Sequence, residues 1–446
     1  MRMLDLDTRP PKDGRPHDRS EIASRLRRFF STLGPGLITG AADDDPSGIS
    51  TYSVTGAQFG YSLLWSAWVS FPLMAAVQLM CARLGMVSGQ GLGSLIRSHY
   101  PRWVLWMACS LLVIANVVNI GADLAGMAAT TALLSGTKAY LLTPLHAGLI
   151  VVLLALWSYR RIATTFKWMA LVLFAYVIAG FLAHPNWSAA LHATLLPKIQ
   201  WSSDYWASLV GVLGTTISPY LFFWQATQEV EEDRAKGKLT IQQRRGATDR
   251  EMEDSRSDVM TGMLFSNLIM FFIILTTAAT LNTHGQTQIT TAEQAAEVLR
   301  PLAGKAAYLL FTLGIVGTGM LSVPVLAGST AYAICEGAAW RNSLNATPRT
   351  APRFYAVLAV AMVAGTALNY VGFNVISMLF WSAVVNGVLA PPLIVLVTLL
   401  SSQRKVMGKR VVNPWLRGLG WLTALAMTLA TVAMLATMHP LQPATR

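Results

Sequence analysis

The stretch GAADDDPSGIS, residues Gly40 to Ser50, decides how this chain folds. Apolar sequence flanks it on both sides, FFSTLGPGLITG before it and TYSVTGAQFGYSLLW after it. Aspartates are costly inside a membrane-spanning helix, at about 2.5 to 3.5 kcal/mol each. Pro46 has no amide hydrogen and Gly48 tolerates irregular backbone, so the stretch predicts a broken helix. Broken backbone at membrane depth is stable only where it lines a polar cavity or is buried in protein.

Composition indicates a membrane protein with many spans. The chain has 446 residues, of which 53% are hydrophobic and 13% are charged. With about 20 apolar residues for each crossing, the sequence predicts an all-α polytopic membrane protein with about eleven transmembrane helices. The predicted spans are 31–57, 62–84, 103–133, 140–158, 166–183, 205–229, 258–281, 307–339, 354–370, 374–400 and 414–438.

The basic residues predict the orientation of these spans. Nearly all of the 34 Lys and Arg residues fall on one side of the membrane in this topology. Because basic loops stay in the cytoplasm, we expect a cytoplasmic N-terminus and an outside C-terminus, in the cell inner (plasma) membrane. The net charge of +12 then reflects topology, and nucleic acid is not an expected partner. The Lys and Arg residues predicted to lie on the outer side are Lys138, Lys198, Arg300, Lys305 and Arg446.

A second break is predicted in the sixth span. Its sequence GVLGTTISPYLFFWQATQEVEE places Pro219 after Ser218 and a Gly-Thr-Thr run that includes Thr215. Interrupted helices at positions 1 and 6 are typical of two five-helix inverted repeats, with the substrate site at the breaks. The predicted boundaries are a solvated tail at 1–30, repeats at 31–184 and 205–400, and an extra helix at 414–438.

Both breaks are predicted to face a cation. The first half of each broken helix ends in free carbonyls that carry about half a negative charge. Asp45 is the expected anchoring ligand, because a cation or water must offset a membrane carboxylate. Asp44 either acts as a second ligand through a water molecule or takes no part in binding, and the sequence leaves both options open. Asp43 is expected to be a vestibule charge or a helix cap.

The residues around the first break resemble the Nramp family of divalent metal transporters. The resemblance rests on GPG at Gly34 to Gly36, on the Asp45-Pro46 pair and on GAQFGYSLLW at Gly56 to Trp65. It implies a leucine-transporter-like inverted-repeat fold and transport of a divalent metal by alternating access. The transported ion, Mg²⁺ or Mn²⁺, and the lipid bilayer are the implied partners, with no separate cofactor.

The chain departs from the family pattern at both breaks. Family members have Asp-Pro-Gly-Asn in helix 1, whose Asp and Asn bind metal, and Met-Pro-His in helix 6. Asp45 matches the Asp, whereas Gly48 replaces the Asn, Ser218 the Met and Tyr220 the His. Without the soft thioether, the remaining oxygen donors suit Mg²⁺, Ca²⁺ and Mn²⁺. The chain is similar to the divergent Nramp-related magnesium transporters, which implies a hard, partly hydrated ion.

The family's proton route is incomplete in this chain. The third span, ANVVNIGADLAGMAATTALL, keeps Asp123 but has Asn116 and Gly126 at two positions that are acidic in the family. The ninth span has no internal arginine. These departures predict passive metal entry, with residual proton coupling through the aspartates as the alternative. The predicted metal ligands are Asp45, Asp44, Gly48, Thr215, Ser218 and Asn386, and the predicted pathway residues are Asp43, Asp123, Tyr220 and Gln225.

Other functional classes stay open at this point. A proton-coupled transporter of Mn²⁺ or Fe²⁺ is the nearest alternative. A sodium-coupled carrier of organic solutes shares the architecture, but three aspartates beside the breaks argue against a carboxylate substrate. An enzyme is not expected, because the chain has no HExxH, GxSxG or phosphate-binding glycine loop. The sequence leaves the oligomeric state open.

Overall fold

The computed structural model describes residues 35–157, 161 and 171–438, and these residues form an all-helical fold. Short helical segments join the long helices at Leu92–His99, Trp187–Leu195, Ile241–Arg244, Ala292–Ala296, Arg300–Ala303 and Arg404–Met407. The long helices are α1 (Pro35–Asp43), α2 (Pro46–Phe59), α3 (Trp65–Ser88), α4 (Arg102–Ser135), α5 (Ala139–Leu156), α6 (Phe174–Leu182), α7 (Ser203–Thr216), α8 (Pro219–Ala235), α9 (Asp249–Thr280), α10 (Ala307–Gly337), α11 (Pro352–Leu368), α12 (Val375–Ser402) and α13 (Pro414–Met438).

Helices lie in all the predicted spans. Within the described residues, eight helical segments are long and apolar enough to cross a membrane, with α7 and α8 counted as one. The first predicted span corresponds to α1 and α2, and the ninth to the shorter apolar helix α11. The fifth span, 166–183, falls partly outside the described residues, and α6 forms its described part.

The charged link between the sixth and seventh spans is more helical than the sequence predicts. α9 begins at Asp249, well before the predicted start at residue 258. A capping box starts the helix: Glu251 N donates to Thr248 Oγ1 at 3.2 Å, and Thr248 N donates to the Glu251 carboxylate at 2.8 Å. Hydropathy misses this start because the first turns of α9 are polar.

The link is also docked on the protein and is only partly solvated. Arg244 is 5% exposed. Its guanidinium donates to the carbonyls of Gly89 at 3.2 Å, Lys238 at 3.0 Å and Leu239 at 2.8 Å. Gly89 caps the C-terminal end of α3, where a cation is favourable because the helix dipole is negative there. The link is therefore buried against the end of α3 at Arg244.

Both predicted helix breaks are present. α1 ends at Asp43 and α2 begins at Pro46, which is the first residue of its helix. Proline is favourable there because the first amides of a helix have no intrahelical acceptor. Asp45 caps α2 by accepting a hydrogen bond from Gly48 N at 2.7 Å. In the same way α7 ends at Thr216 and α8 begins at Pro219.

Glycines hold each broken helix against a neighbouring helix. A Cβ atom on Gly40 of α1 would lie 2.2 Å from the carbonyl oxygen of Gly262 in α9. A Cβ atom on Gly214 of α7 would lie 2.2 Å from the carbonyl oxygen of Ala383 and 2.4 Å from the amide nitrogen of Gly387, both in α12. Only glycine permits these backbone contacts. The breaks are therefore fixed by backbone packing, the first against α9 and the second against α12.

Candidate metal centre

Asp45 lies at the first break, and both of its carboxylate oxygens accept hydrogen bonds. The residue is 2% exposed. Oδ1 accepts from Ser47 Oγ and from Gly48 N, each at 2.7 Å. Oδ2 accepts from Asn119 Nδ2 of α4 at 2.9 Å. The donors to this carboxylate are therefore neutral.

Asp123 of α4 lies beside the same break. Its Oδ1 accepts from Ser47 N at 3.2 Å, and its Oδ2 accepts from Ser322 Oγ of α10 at 2.9 Å. Ser47 thus joins two carboxylates, with its hydroxyl on Asp45 and its amide on Asp123. Asn119 and Asp123 are four residues apart and share one face of α4. This face of α4 therefore lines the first break.

Asp43 and Asp44 form a second acidic group, on the α9 side of the break. Ser266 Oγ lies 2.6 Å from Asp43 Oδ2 and 3.2 Å from Asp44 Oδ1. Both aspartates are 0% exposed, and Asp43 Oδ1 and Asp44 Oδ2 have no hydrogen-bond partner. Asp43 is the last residue of α1 and lies inside the protein, not in a vestibule. The reason is the close Gly40–Gly262 contact, which brings the last turn of α1 against Ser266.

Residues of the second break contact both halves of the first broken helix. Tyr220 OH donates to the carbonyl of Ala42 in α1 at 2.9 Å. Thr215 Oγ1 donates to Tyr52 OH of α2 at 2.9 Å. Ser218 Oγ lies 2.8 Å from the carbonyl of Gly214 and 2.6 Å from that of Thr215, so its hydrogen is directed to its own chain. The hydrogen bond from Tyr220 therefore uses one of the α1 carbonyls that were expected to face a cation.

Asn386 and Gln225 have contrasting surroundings. Asn386 of α12 is 1% exposed, and neither its amide oxygen nor its amide nitrogen has a partner. Gln225 of α8 uses both groups: Oε1 accepts from Thr39 Oγ1 at 2.8 Å, and Nε2 donates to Glu229 Oε1 at 3.0 Å. Gln225 thus ties α1 to α8, whereas Asn386 keeps an amide oxygen available for a ligand.

The carboxylates at the break have no cationic side chain beside them in the described part of the chain. Among the described residues, no Lys or Arg forms an ion pair with Asp43, Asp44, Asp45 or Asp123. An uncompensated charge in the protein interior costs several kcal/mol, so these carboxylates need protons or a bound cation. The described part of the chain has no cluster of three His, Cys, Asp or Glu side chains placed to hold one metal. Hydroxyl, amide, carbonyl or water oxygens would therefore complete the coordination, and these suit hard cations.

Four neutral residues of this site were not predicted from the sequence: Asn119, Ser47, Ser266 and Ser322. Serine and asparagine are common enough in membrane helices that composition does not single them out. The four-residue spacing of Asn119 from Asp123 was a usable signal, because it places both on one helix face. Ser266 and Ser322 become visible only once α9 and α10 are packed against the break.

Comparison with known protein sequences identifies the family. The profile of Nramp, described as natural resistance-associated macrophage protein-like, matches residues 36–437. The divalent metal cation transporter MntH of Mesorhizobium japonicum is 28% identical over 409 residues, which cover 90% of this chain and 87% of the relative. MntH of Deinococcus radiodurans is 27% identical over 416 residues, covering 90% of this chain and 88% of the relative.

Solved structures share the fold. A manganese transporter of Eremococcus coleocola aligns with a TM-score of 0.72 at 18% identity, covering 96% of this chain and 91% of that one. Mhp1, a nucleobase-cation-symport-1 family transporter in a closed conformation, aligns with a TM-score of 0.57 at 15% identity, covering 93% and 94%. The predicted all-α, leucine-transporter-like fold is thereby confirmed. Because the Nramp profile extends over residues 36–437, nearly the whole length, this chain belongs to the Nramp family.

Proposed function

We propose that this protein is a secondary transporter that imports hard divalent cations, Mg²⁺ and Mn²⁺, by alternating access. One observation carries the proposal: four buried carboxylates, those of Asp43, Asp44, Asp45 and Asp123, surround the first break without a Lys or Arg partner in the described chain. Relatives named as divalent metal cation transporters, and a manganese transporter of the same fold, support a divalent ion as the substrate.

The donor set supports a hard ion. Around Asp45 the polar groups are the hydroxyl of Ser47, the amide of Asn119 and backbone. Ser218 supplies a hydroxyl where the family resemblance places a thioether, and thioethers favour soft transition metals. Gly48 has no side chain that could bind the ion, and a Cβ atom there would be in van der Waals contact with Asp45 Oδ1 at 3.5 Å. Without a side-chain ligand at position 48, water would supply that oxygen, which suits an ion that keeps some of its water, as Mg²⁺ usually does.

The topology is part of the same proposal. We place the chain in the cell inner (plasma) membrane with its N-terminus cytoplasmic and its C-terminus outside, because the basic residues lie almost all on one side. The breaks between α1 and α2 and between α7 and α8 support inverted repeats at 31–184 and 205–400, followed by the helix at 414–438. The tail at 1–30 lies outside the described residues.

Metal entry is proposed to be uncoupled from protons. A phenol ionises near pH 10, so Tyr220, which donates to the Ala42 carbonyl, does not exchange a proton readily near neutral pH. Asp123 is the one acidic side chain between Arg102 and Ser135. The driving force is then the ion gradient and the membrane potential, which contributes about 4.6 kcal/mol per 100 mV for a divalent cation.

The alternative is a proton-coupled transporter of Mn²⁺ or Fe²⁺. The same four carboxylates favour it, because buried carboxylates without a cationic partner can bind protons in place of a metal. A sodium-coupled carrier of organic solutes has less support, since these carboxylates would repel an anionic solute.

Removal of the Asp45 charge tests the site. Asp45 caps α2, and loss of a cap costs about 1 kcal/mol, so Asp45→Asn, which keeps a capping oxygen, accompanies Asp45→Ala. In both variants the uptake of Mg²⁺ and Mn²⁺ into proteoliposomes is expected to fall by about tenfold or more. The reason is that losing one interaction of about 1.4 kcal/mol with the ion lowers the affinity tenfold. Asp204→Asn, at an exposed carboxylate in the first turn of α7, is the matched control and should transport normally. Near-normal uptake by folded Asp45→Asn would contradict the proposal.

Restoring sulfur tests the preference for hard ions. The double variant Ser218→Met, Gly48→Asn should bind Cd²⁺ more tightly relative to Mg²⁺, by about tenfold or more in the ratio of dissociation constants, because a thioether selects soft metals. Titration of the purified protein with each ion measures that ratio. Ser203→Met, at the opposite end of α7, is the control and should leave it unchanged. An unchanged ratio in the double variant would mean that the second break does not contact the ion.

Proteoliposomes that contain a pH-sensitive dye test the coupling. Uptake of Mg²⁺ or Mn²⁺ should leave the internal pH unchanged, and an inside-negative potential should accelerate it. Empty liposomes and liposomes with Asp45→Asn provide the background. Acidification of the lumen that requires both the metal and the wild-type protein would show proton coupling and favour the alternative.

A further inference from the structure

We propose that Asn119 of α4 is a direct ligand of the transported cation. The proposal rests on the proposed function, because it adds a ligand to the Asp45 site. In the family pattern an asparagine of helix 1 provides an amide at position 48, where this chain has Gly48. Asn119 supplies an amide to the same aspartate from a different helix.

An unsatisfied oxygen on Asn119 points to a ligand. The residue is 0% exposed, and its Nδ2 donates to Asp45 Oδ2 at 2.9 Å. Its Oδ1 is buried and has no hydrogen-bond partner. An unpaired buried acceptor costs about 1 to 3 kcal/mol, so its retention beside a carboxylate needs an explanation. A cation at Asp45 explains it, because the amide oxygen then gains a partner.

The distance between Asn119 and Asp45 also fits a shared ion. A half-turn of the amide about its Cβ–Cγ bond exchanges the oxygen and nitrogen without moving the backbone. Oδ1 would then stand where Nδ2 stands, which is 2.9 Å from Asp45 Oδ2. In an octahedral Mg²⁺ site with bonds of about 2.0 to 2.1 Å, adjacent ligand oxygens are separated by about 2.9 Å. After this half-turn, Asn119 Oδ1 and Asp45 Oδ2 would have the separation of two adjacent ligand oxygens in an octahedral Mg²⁺ site.

Asn116 provides a matched control on the same helix. It lies one turn before Asn119, and its Nδ2 is within hydrogen-bond distance of three acceptors of α10: Leu326 O at 3.0 Å, Ser329 Oγ at 2.9 Å and Thr330 Oγ1 at 2.9 Å. Its Oδ1 is buried without a partner, as that of Asn119 is, so the two residues differ in whether they contact Asp45. Asn116→Ala removes interhelical hydrogen bonds without removing any donor to Asp45. A purely structural role of asparagine in α4 would thus affect both positions alike.

Substitution by cysteine separates a ligand from a mere donor. A thiolate is a soft ligand, which favours Cd²⁺ over Mg²⁺ only where it contacts the ion. If Asn119 coordinates the ion, Asn119→Cys places sulfur in the coordination shell and should raise the affinity for Cd²⁺ relative to Mg²⁺. If Asn119 serves only to donate to Asp45, the same change removes the donor and should leave that ratio unchanged.

Isothermal titration of the purified full-length protein with Mg²⁺, Mn²⁺ and Cd²⁺ decides between these roles. We expect Asn119→Ala to raise the Mg²⁺ dissociation constant by about tenfold, the effect of one 1.4 kcal/mol interaction. Asn119→Cys should bind Cd²⁺ more tightly relative to Mg²⁺ than wild type does, and Asn116→Ala should bind Mg²⁺ as wild type does. Unchanged binding by Asn119→Ala, or an unchanged ratio of the Cd²⁺ and Mg²⁺ dissociation constants in Asn119→Cys, would overturn the proposal. If Asn119→Ala does not fold, Asn119→Cys alone decides.

Asp45→Asn in the same titration keeps the two proposals distinguishable. If Asp45→Asn loses binding while Asn119→Ala binds normally, only the Asn119 ligand is refuted. If wild type fails to bind divalent ions, or Asp45→Asn binds them as wild type does, the proposed function fails and the Asn119 assignment fails with it.

Discussion

The carboxylate of Asp45 at the start of α2 is the interaction on which the site depends. It caps α2 through Gly48 N, and the positive end of that helix offsets part of its charge. Asp43 and Asp44 lie at the opposite kind of terminus, the C-terminal end of α1, where the helix dipole disfavours an anion. The break thus places one aspartate in a favourable field and two in an unfavourable one. A bound cation near the break would relieve the two unfavourable charges, which is why the unpaired oxygens of Asp43 and Asp44 matter.

Packing of glycine against backbone positions the two broken helices. The Gly40–Gly262 contact holds α1 on α9 and brings Asp43 and Asp44 to Ser266, while the Gly214–Gly387 contact holds α7 on α12 beside Asn386. The two breaks are joined to each other by hydrogen bonds, from Tyr220 to α1 and from Thr215 to α2. Movement of either broken helix therefore changes the surroundings of the aspartates, as alternating access at this site would require.

The sequence predicts the spans and breaks well because their causes are local. Apolar length specifies a membrane helix, and Pro46 and Pro219 specify where a helix starts again. Prediction from the sequence fails where a feature depends on a contact between distant segments of the chain. The burial of Asp43 depends on Gly262 and Ser266, and the hydrogen bond from Asn119 to Asp45 depends on how α4 packs on the break. The early start of α9 was missed for another reason, since the capping box at Thr248 lies in polar sequence that hydropathy does not count.

The buried carboxylates at the first break are proposed to bind a divalent cation. Anomalous X-ray scattering from crystals of the protein soaked in Mn²⁺, recorded at the manganese absorption edge, would locate the metal without reference to transport. We predict an anomalous peak within coordinating distance of an Asp45 oxygen, and no such peak in Asp45→Asn crystals. A peak elsewhere in the protein, with none at the first break, would show that the ion binds at another site.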